Sequence, residues 1–311
     1  MSPLLRLERA IAHRDQRGIL VNHMRAWLDR GRPALGLAGL AAALWLWFTG
    51  RLGRLGERPR AIRAAAIVAF FLGVVSSNVT LVLVIVEDKI LGFTENGNPA
   101  VDLAYFVIGV GLREEVSKLL LFLPLVPILR RRGNRLDTLA IAAIVGLGFA
   151  ADENLGYLEH GIGTTALARF LTANFAHMAM TGLVGISLYD ALERRRPPET
   201  FSQTLALIVV LHGAYDFLLS NALVADVSFL SMTIFIILTR MFLSDVASVR
   251  RSDAGSPLLT AFGRAVACVT GASFVYAAAL VGPLHAAQIL ALGLLGEAIM
   301  IYMFTLEFGK L

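Results

Sequence analysis

Between Gly109 and Leu125 the chain reads GVGLREEVSKLLLFLPL, an apolar stretch interrupted by Arg113, Glu114, Glu115 and Lys118. One ionisable side chain at the centre of a membrane helix costs about 2.5–3.5 kcal/mol on insertion scales, so such residues face the protein interior and serve an ion, a proton or a substrate. Three later apolar stretches carry groups of matching chemistry. GFAADENLGY brings Glu153, NFAHMAMTG brings His177, and LHGAYDF brings His212 and Asp216. Carboxylates and imidazoles drawn from four helices could form one polar site inside a helical bundle.

Within REEVSK, Glu114 and Lys118 are four residues apart and share a helical face, whereas Glu115 is turned about 100° away. An ion pair accounts for the first two. Yet all but three of the 28 basic residues are arginine, and lysine is the compact cation whose charge responds to burial and can tune a neighbouring carboxylate. Phe149, Glu153 and Tyr157 form one stripe, with Gly146, Gly148 and Gly156 expected to admit a neighbouring helix. Asn174 and Thr181 lie on the face of His177 and are expected to orient its ring. His212 and Asp216 are an i, i+4 pair in which the carboxylate can take the ring N–H and turn the other nitrogen towards a metal or substrate.

The elements that must carry these groups are membrane helices. The 311 residues are 57% hydrophobic and 16% charged, with a mean hydropathy of +0.69, which describes an integral membrane protein surrounded by lipid. A net charge of +5 and a pI near 9.7 do not indicate nucleic-acid binding, because the arginines sit in short loops between apolar runs. Cys268 is the single cysteine, which excludes an internal disulfide and a thiolate zinc site, so any metal must use histidine and carboxylate. Residues 1–33 are basic and loosely amphipathic, without the apolar core of a cleaved signal. Residues 34–311 form the expected all-α transmembrane bundle.

Nine apolar runs follow: 34–50, 61–86, 101–129, 136–158, 169–192, 201–223, 227–246, 258–280 and 284–308, so about nine transmembrane helices are expected, eight if the short first run does not span. The site-bearing core is 101–223. Loops 51–63, 130–135, 193–199 and 250–251 are arginine-rich and alternate with neutral or acidic loops at 87–99, 159–165 and 225–226. The positive-inside rule makes the first set cytoplasmic and the second external. At a rise of about 1.5 Å per residue, Glu114, Glu153, His177 and His212 then lie about 20, 8, 12 and 17 Å from the outer ends of their spans. Asn78, Arg240 and Glu297 lack partners at diagnostic spacing and read as structural, and His160 and His285 are weak candidates near the outer boundary.

Taken together, Glu114-Glu115-x-x-Lys118, Phe149-x-x-x-Glu153-Asn154 with Tyr157, His177-x-x-x-Thr181 and His212-x-x-x-Asp216, in that order across residues 105–220, resemble the PrsW-type intramembrane proteases, within the wider group that includes the CAAX prenyl endopeptidases. Glu153 and Asp216 follow the PrsW branch, where the prenyl endopeptidases have histidine and asparagine. The resemblance implies hydrolysis of a peptide bond in a membrane-anchored, single-span protein such as an anti-sigma factor, in a bacterial cytoplasmic membrane. It implies a zinc site of Glu153, His177 and His212, with Glu114, or failing it Glu115, as general base. Lys118 would hold that carboxylate, and Asp216 would support His212. A metal-free mechanism of glutamate and histidine is also written for the wider group. The rival class is a proton- or ion-coupled transporter, which buried Glu, His and Asp also fit, but the two halves show no internal repeat of the kind transporters commonly carry.

Overall fold

The computed structural model describes residues 32–158, 164–250 and 257–311. The amphipathic segment expected before residue 32, His160 and Arg251 lie outside them. Among the described residues there is no strand. The helices are α1 (Arg32–Leu52), α2 (Arg60–Val86), α3 (Pro99–Ala104), α4 (Arg113–Phe122), α5 (Val126–Arg132), α6 (Arg135–Leu158), α7 (Thr164–Leu171), α8 (Ala173–Leu192), α9 (Pro198–Ser220), α10 (Leu230–Val249), α11 (Pro257–Val281), α12 (Pro283–Gly296) and α13 (Ala298–Phe308). The protein is an all-α polytopic membrane bundle.

Seven described helices are long and apolar enough to cross a membrane, or eight if α12 and α13, bent by 56°, count as one broken span. The third expected run, 101–129, is not a regular apolar helix. It is helical throughout 99–132, but as α3, a π-helical stretch Tyr105–Leu112, α4, a 3-10 turn Leu123–Leu125 and α5. The charges of REEVSK lower its hydropathy, and Pro124 and Pro127 each remove a backbone donor. A π stretch is rare and clusters at functional sites; this one ends at Leu112, directly before the charged turn.

The centre of the bundle is α6 packed against α8, with 83% of each spanning segment buried. The two run antiparallel. Arg135 at the start of α6 makes paired 2.8 Å bonds to Asp190 near the end of α8, while Glu153 near the end of α6 meets His177 near the start of α8. Between α8 and α9 the same rule holds, with Ser187 bonded to Thr204 and His177 facing His212. The helical path 99–132 runs against α9, from Asp102 on Asn221 to Glu115 on His212.

Close approach at the two crossings that matter requires glycine. A Cβ on Gly146 would run into the backbone carbonyl of His177, and one on Gly213 would run into the backbone at Phe106 and Val107. Gly148 meets α2 in the same way, whereas among the described residues no helix comes within 4 Å of a Cβ added at Gly156. Around this core a second layer is packed by aromatics. Trp45 of α1 donates its indole N–H to the Phe170 carbonyl at 2.7 Å, and the rings of Phe48, Phe170, Phe175 and Phe304 pack against it. In lipid such helix association comes from packing and hydrogen bonds more than from the hydrophobic effect.

The two ends of the bundle differ in charge. Arg58 on Asp137, Arg135 on Asp190 and Arg130 on Glu193 gather at one end. There Asn134 and Asp137 exchange 3.0 Å side-chain to backbone bonds, a reciprocal cap at the start of α6. The opposite end carries the Asp102–Asn221 contact and Glu87 paired with Arg113 at 2.5 Å. Substituting Gly146 by valine should cost at least about 1–3 kcal/mol through overpacking, read as a drop in thermal unfolding temperature in detergent. Gly156→Ala should leave the same measurement unchanged.

Candidate active site

The ammonium of Lys118 lies at the centre of the site and is fully buried. It donates to Glu115 Oε1 at 2.8 Å, to Glu114 Oε2 at 3.3 Å and to His177 Nδ1 at 2.8 Å. All three of its N–H bonds are used. Its positive charge also lies 4.1 Å from the centre of the Phe149 ring, a cation–π contact. Glu115 is therefore not turned away from Lys118, as the spacing suggested: a separation of three residues also shares a helical face, and Glu115 is the more buried partner at 1% exposure.

From this ammonium two chains of hydrogen bonds run outward. Because Lys118 only donates, His177 Nδ1 must accept, which leaves the ring proton on Nε2. That N–H donates to Glu153 Oε2 at 2.9 Å, and Arg169 Nη2 stands 3.3 Å from the same oxygen. On the other side His212 Nδ1 meets Glu115 Oε1 at 2.8 Å. With an ionised Glu115 the ring donates there, and its Nε2 faces Asp216 Oδ2 at 3.3 Å and Glu114 Oε2 at 3.6 Å. The two imidazole centres are 5.3 Å apart.

All seven side chains singled out in the sequence therefore converge: Glu114, Glu115, Lys118, Glu153, His177, His212 and Asp216. Asn174 and Thr181 do not orient His177 as expected. Asn174 accepts from Asn154, and the Thr181 hydroxyl has no hydrogen-bond partner; Lys118 and Glu153 hold the ring from its two edges instead. Arg169 is the site residue that sequence reasoning missed. Its guanidinium stacks 3.8 Å over the Tyr157 ring and donates through Nε to Asn154. Position 169 opens the expected apolar run 169–192, an arginine with a glutamate on the preceding span, and that placement is its only signal in the sequence.

A cavity of about 240 Å³ adjoins these groups, lined among others by Glu153, Tyr157, Arg169, His177, His212 and Asp216. It lies at the ends of α6 and α9 and the start of α8, at the end of the bundle away from the arginine cluster. The larger apolar cavity between α1 and α2, about 370 Å³, has Asp152 as its single ionisable lining residue.

One atom each of Glu114, His177 and His212 come within 4.8 Å of one another, a group able to hold a metal ion. The donor types suit zinc, and charge also argues for a cation: Lys118 and Arg169 face Glu114, Glu115, Glu153 and Asp216. His212 Nε2 lies between the Asp216 and Glu114 carboxylates, so as placed it donates towards them, and it offers a lone pair to a metal only once that proton has left. A neutral imidazole has one lone pair, so His177 becomes a ligand when Lys118 releases Nδ1.

Residues 62–242, more than half of the chain and including every residue of this site, match a family model described as PrsW family intramembrane metalloprotease. No curated protein and no solved structure matches the chain. Lys118→Met should be strongly destabilising, by about 3–5 kcal/mol, because it leaves buried Glu115 without its cation. The double variant with Glu115→Gln should recover part of that loss in a double-mutant cycle of unfolding free energies.

Proposed function

The chain belongs to the PrsW family of intramembrane metalloproteases, and from that premise we propose that it cleaves a membrane-anchored, single-span protein at the cavity beside His177 and His212, with Glu114 as general base. The observation that carries this reading is the convergence of the charged turn of α4 with Glu153, His177 and His212 in one buried network open to a cavity. The protein is an intramembrane peptidase, and the transporter reading falls away.

In the proposed mechanism Glu114 takes the proton of the attacking water. Its Oε2, 3.6 Å from His212 Nε2, can share a water with that ring, and its salt bridge to Lys118 keeps it aimed there. Glu115 fixes the His212 tautomer by accepting from Nδ1. Asp216 holds the other edge of the ring. Zinc would be held by Glu153, His177 and His212, and when bound it would lower the pKa of its water towards about 7 and polarise the scissile carbonyl. Glu114 is the carboxylate that lies with both imidazoles; Glu153 is proposed as the ligand in its place because Glu114 is then free to act as the base.

One observation favours a second reading. Lys118 donating to His177 Nδ1 leaves an N–H on Nε2, which serves a metal-free mechanism in which Glu114 and His212 activate water and His177 donates to the substrate. Metal analysis separates the two. Under the zinc reading Glu114→Gln abolishes cleavage and keeps the metal, whereas Glu153→Gln loses the metal; full activity with less than about a tenth of an equivalent of metal per chain would establish the second.

The substrate is proposed to be a regulatory protein such as an anti-sigma factor of a bacterial cytoplasmic membrane, cut towards the outer face. The positive-inside rule supports that side, since the cavity lies at the end away from the arginines. Its scissile segment must be unwound, because a helical carbonyl is tied up in backbone hydrogen bonds. Mapping product termini tests this: the cut should fall in the outer half of the substrate's span, and a cut on the cytoplasmic side would reverse the assignment.

A further inference from the structure

We propose that Arg169 is a catalytic residue of this site, the donor that stabilises the oxyanion formed during hydrolysis; the inference rests on the reading of the cavity as the place where the peptide bond is cut. When water attacks a peptide carbonyl, its proton passes to Glu114, a C–O bond forms, and the π pair of the carbonyl moves onto its oxygen. Collapse returns that pair, breaks the C–N bond and sends the proton from Glu114 to the leaving amine. Between these events a full negative charge rests on one oxygen, and donors aimed at it carry much of the rate enhancement.

Few of the donors here are unengaged. Lys118 spends its N–H bonds on Glu114, Glu115 and His177. The Nε2–H of His177 is held by Glu153, and Nδ1 of His212 by Glu115. Asp216 as a carboxylate can only accept. The Thr172 hydroxyl donates to the Ala168 carbonyl at 2.8 Å, and the Tyr215 side chain is hydrogen-bonded to Thr172. Tyr157 lies under the Arg169 guanidinium and is largely exposed.

Arg169 differs in two respects. Its Nη2 is buried and makes no hydrogen bond, although it stands 3.3 Å from Glu153. Its orientation is already set, by Nε on Asn154 and by stacking on Tyr157. A planar cation held on two sides in the wall of this cavity needs little reorganisation when charge develops beside it. Arginine also keeps its proton at any pH the protein meets, so the donor is permanent.

The test uses the full-length protein in detergent with a single-span substrate, comparing wild type, Glu114→Gln, Glu153→Gln, Arg169→Gln and Arg169→Lys. Each is assayed for kcat, KM, metal content, unfolding temperature and inhibition by a phosphinate isostere of the scissile peptide. Arg169→Gln should lower kcat on the order of 10²–10³-fold with little change in KM. Phosphinate affinity should fall in the same proportion, while metal content stays at the wild-type level. Arg169→Lys, which keeps the charge without the fork, should lie between the two and decides the matter if the glutamine variant does not fold. Unchanged kcat, a rise in KM alone, or loss of metal in step with Glu153→Gln would overturn the inference, the last because Arg169 would then only hold Glu153. Wild-type protein without Glu114-dependent cleavage would remove the underlying reading, and this inference with it.

Discussion

Everything in the candidate site depends on one buried ammonium. Lys118 has no exposed surface, and a charge so placed is tolerated only when its hydrogen bonds and its counter-charges are all supplied by protein. Three elements supply them: Glu114 and Glu115 from its own helix, the His177 ring from α8, and the Phe149 face from α6. Through those contacts the ammonium also sets the His177 tautomer and, one bond further, the position of Glu153. Lysine suits this place because a compact cation can reach three acceptors lying in different directions. A planar guanidinium would match a single carboxylate better and the set worse.

That network can exist only if the helix axes come close, and backbone proximity here is a property of glycine. Gly146 lets α6 lie against the His177 carbonyl, and Gly213 lets α9 lie against Phe106 and Val107. Larger residues at either crossing would part the helices, and short polar contacts such as those from Lys118 and His212 would open. The interrupted helix 99–132 answers the same demand in another way. Its π stretch and its two prolines cost regular hydrogen bonding, and between them the charged turn of α4 faces α8 and α9 at once.

The bundle is polar along its axis as well as at its centre. Arginine–carboxylate pairs at one end, among them the doubly bonded Arg135–Asp190, anchor the ends of α6 and α8 at the membrane–water boundary, where charge is cheap. The site lies towards the other end, at the cavity lined by Glu153, His177 and His212. A hydrolytic enzyme in lipid needs that separation: water must reach the scissile bond from one side while the rest of the bundle stays sealed.

How much of this was legible without coordinates follows from the ranges of the forces involved. Charged residues in apolar runs are costly wherever the chain goes, so Glu114, Lys118, Glu153, His177, His212 and Asp216 stood out as site residues, and apolar length gave an all-α membrane bundle. Gly146 and Gly148 gave a close crossing. Tertiary structure alone decided who pairs with whom. Lys118 meets His177 across 59 positions and His212 meets Glu115 across 97, distances over which spacing in the chain carries no information. The i, i+3 spacing admits Glu115 to Lys118 as readily as i, i+4 admits Glu114, and only burial shows that Glu115 is the nearer partner. Nor could composition distinguish a regular span from the π- and proline-broken helix 99–132, or promote Arg169 from a helix end to a cavity wall, because both depend on which neighbour fills the space beside them.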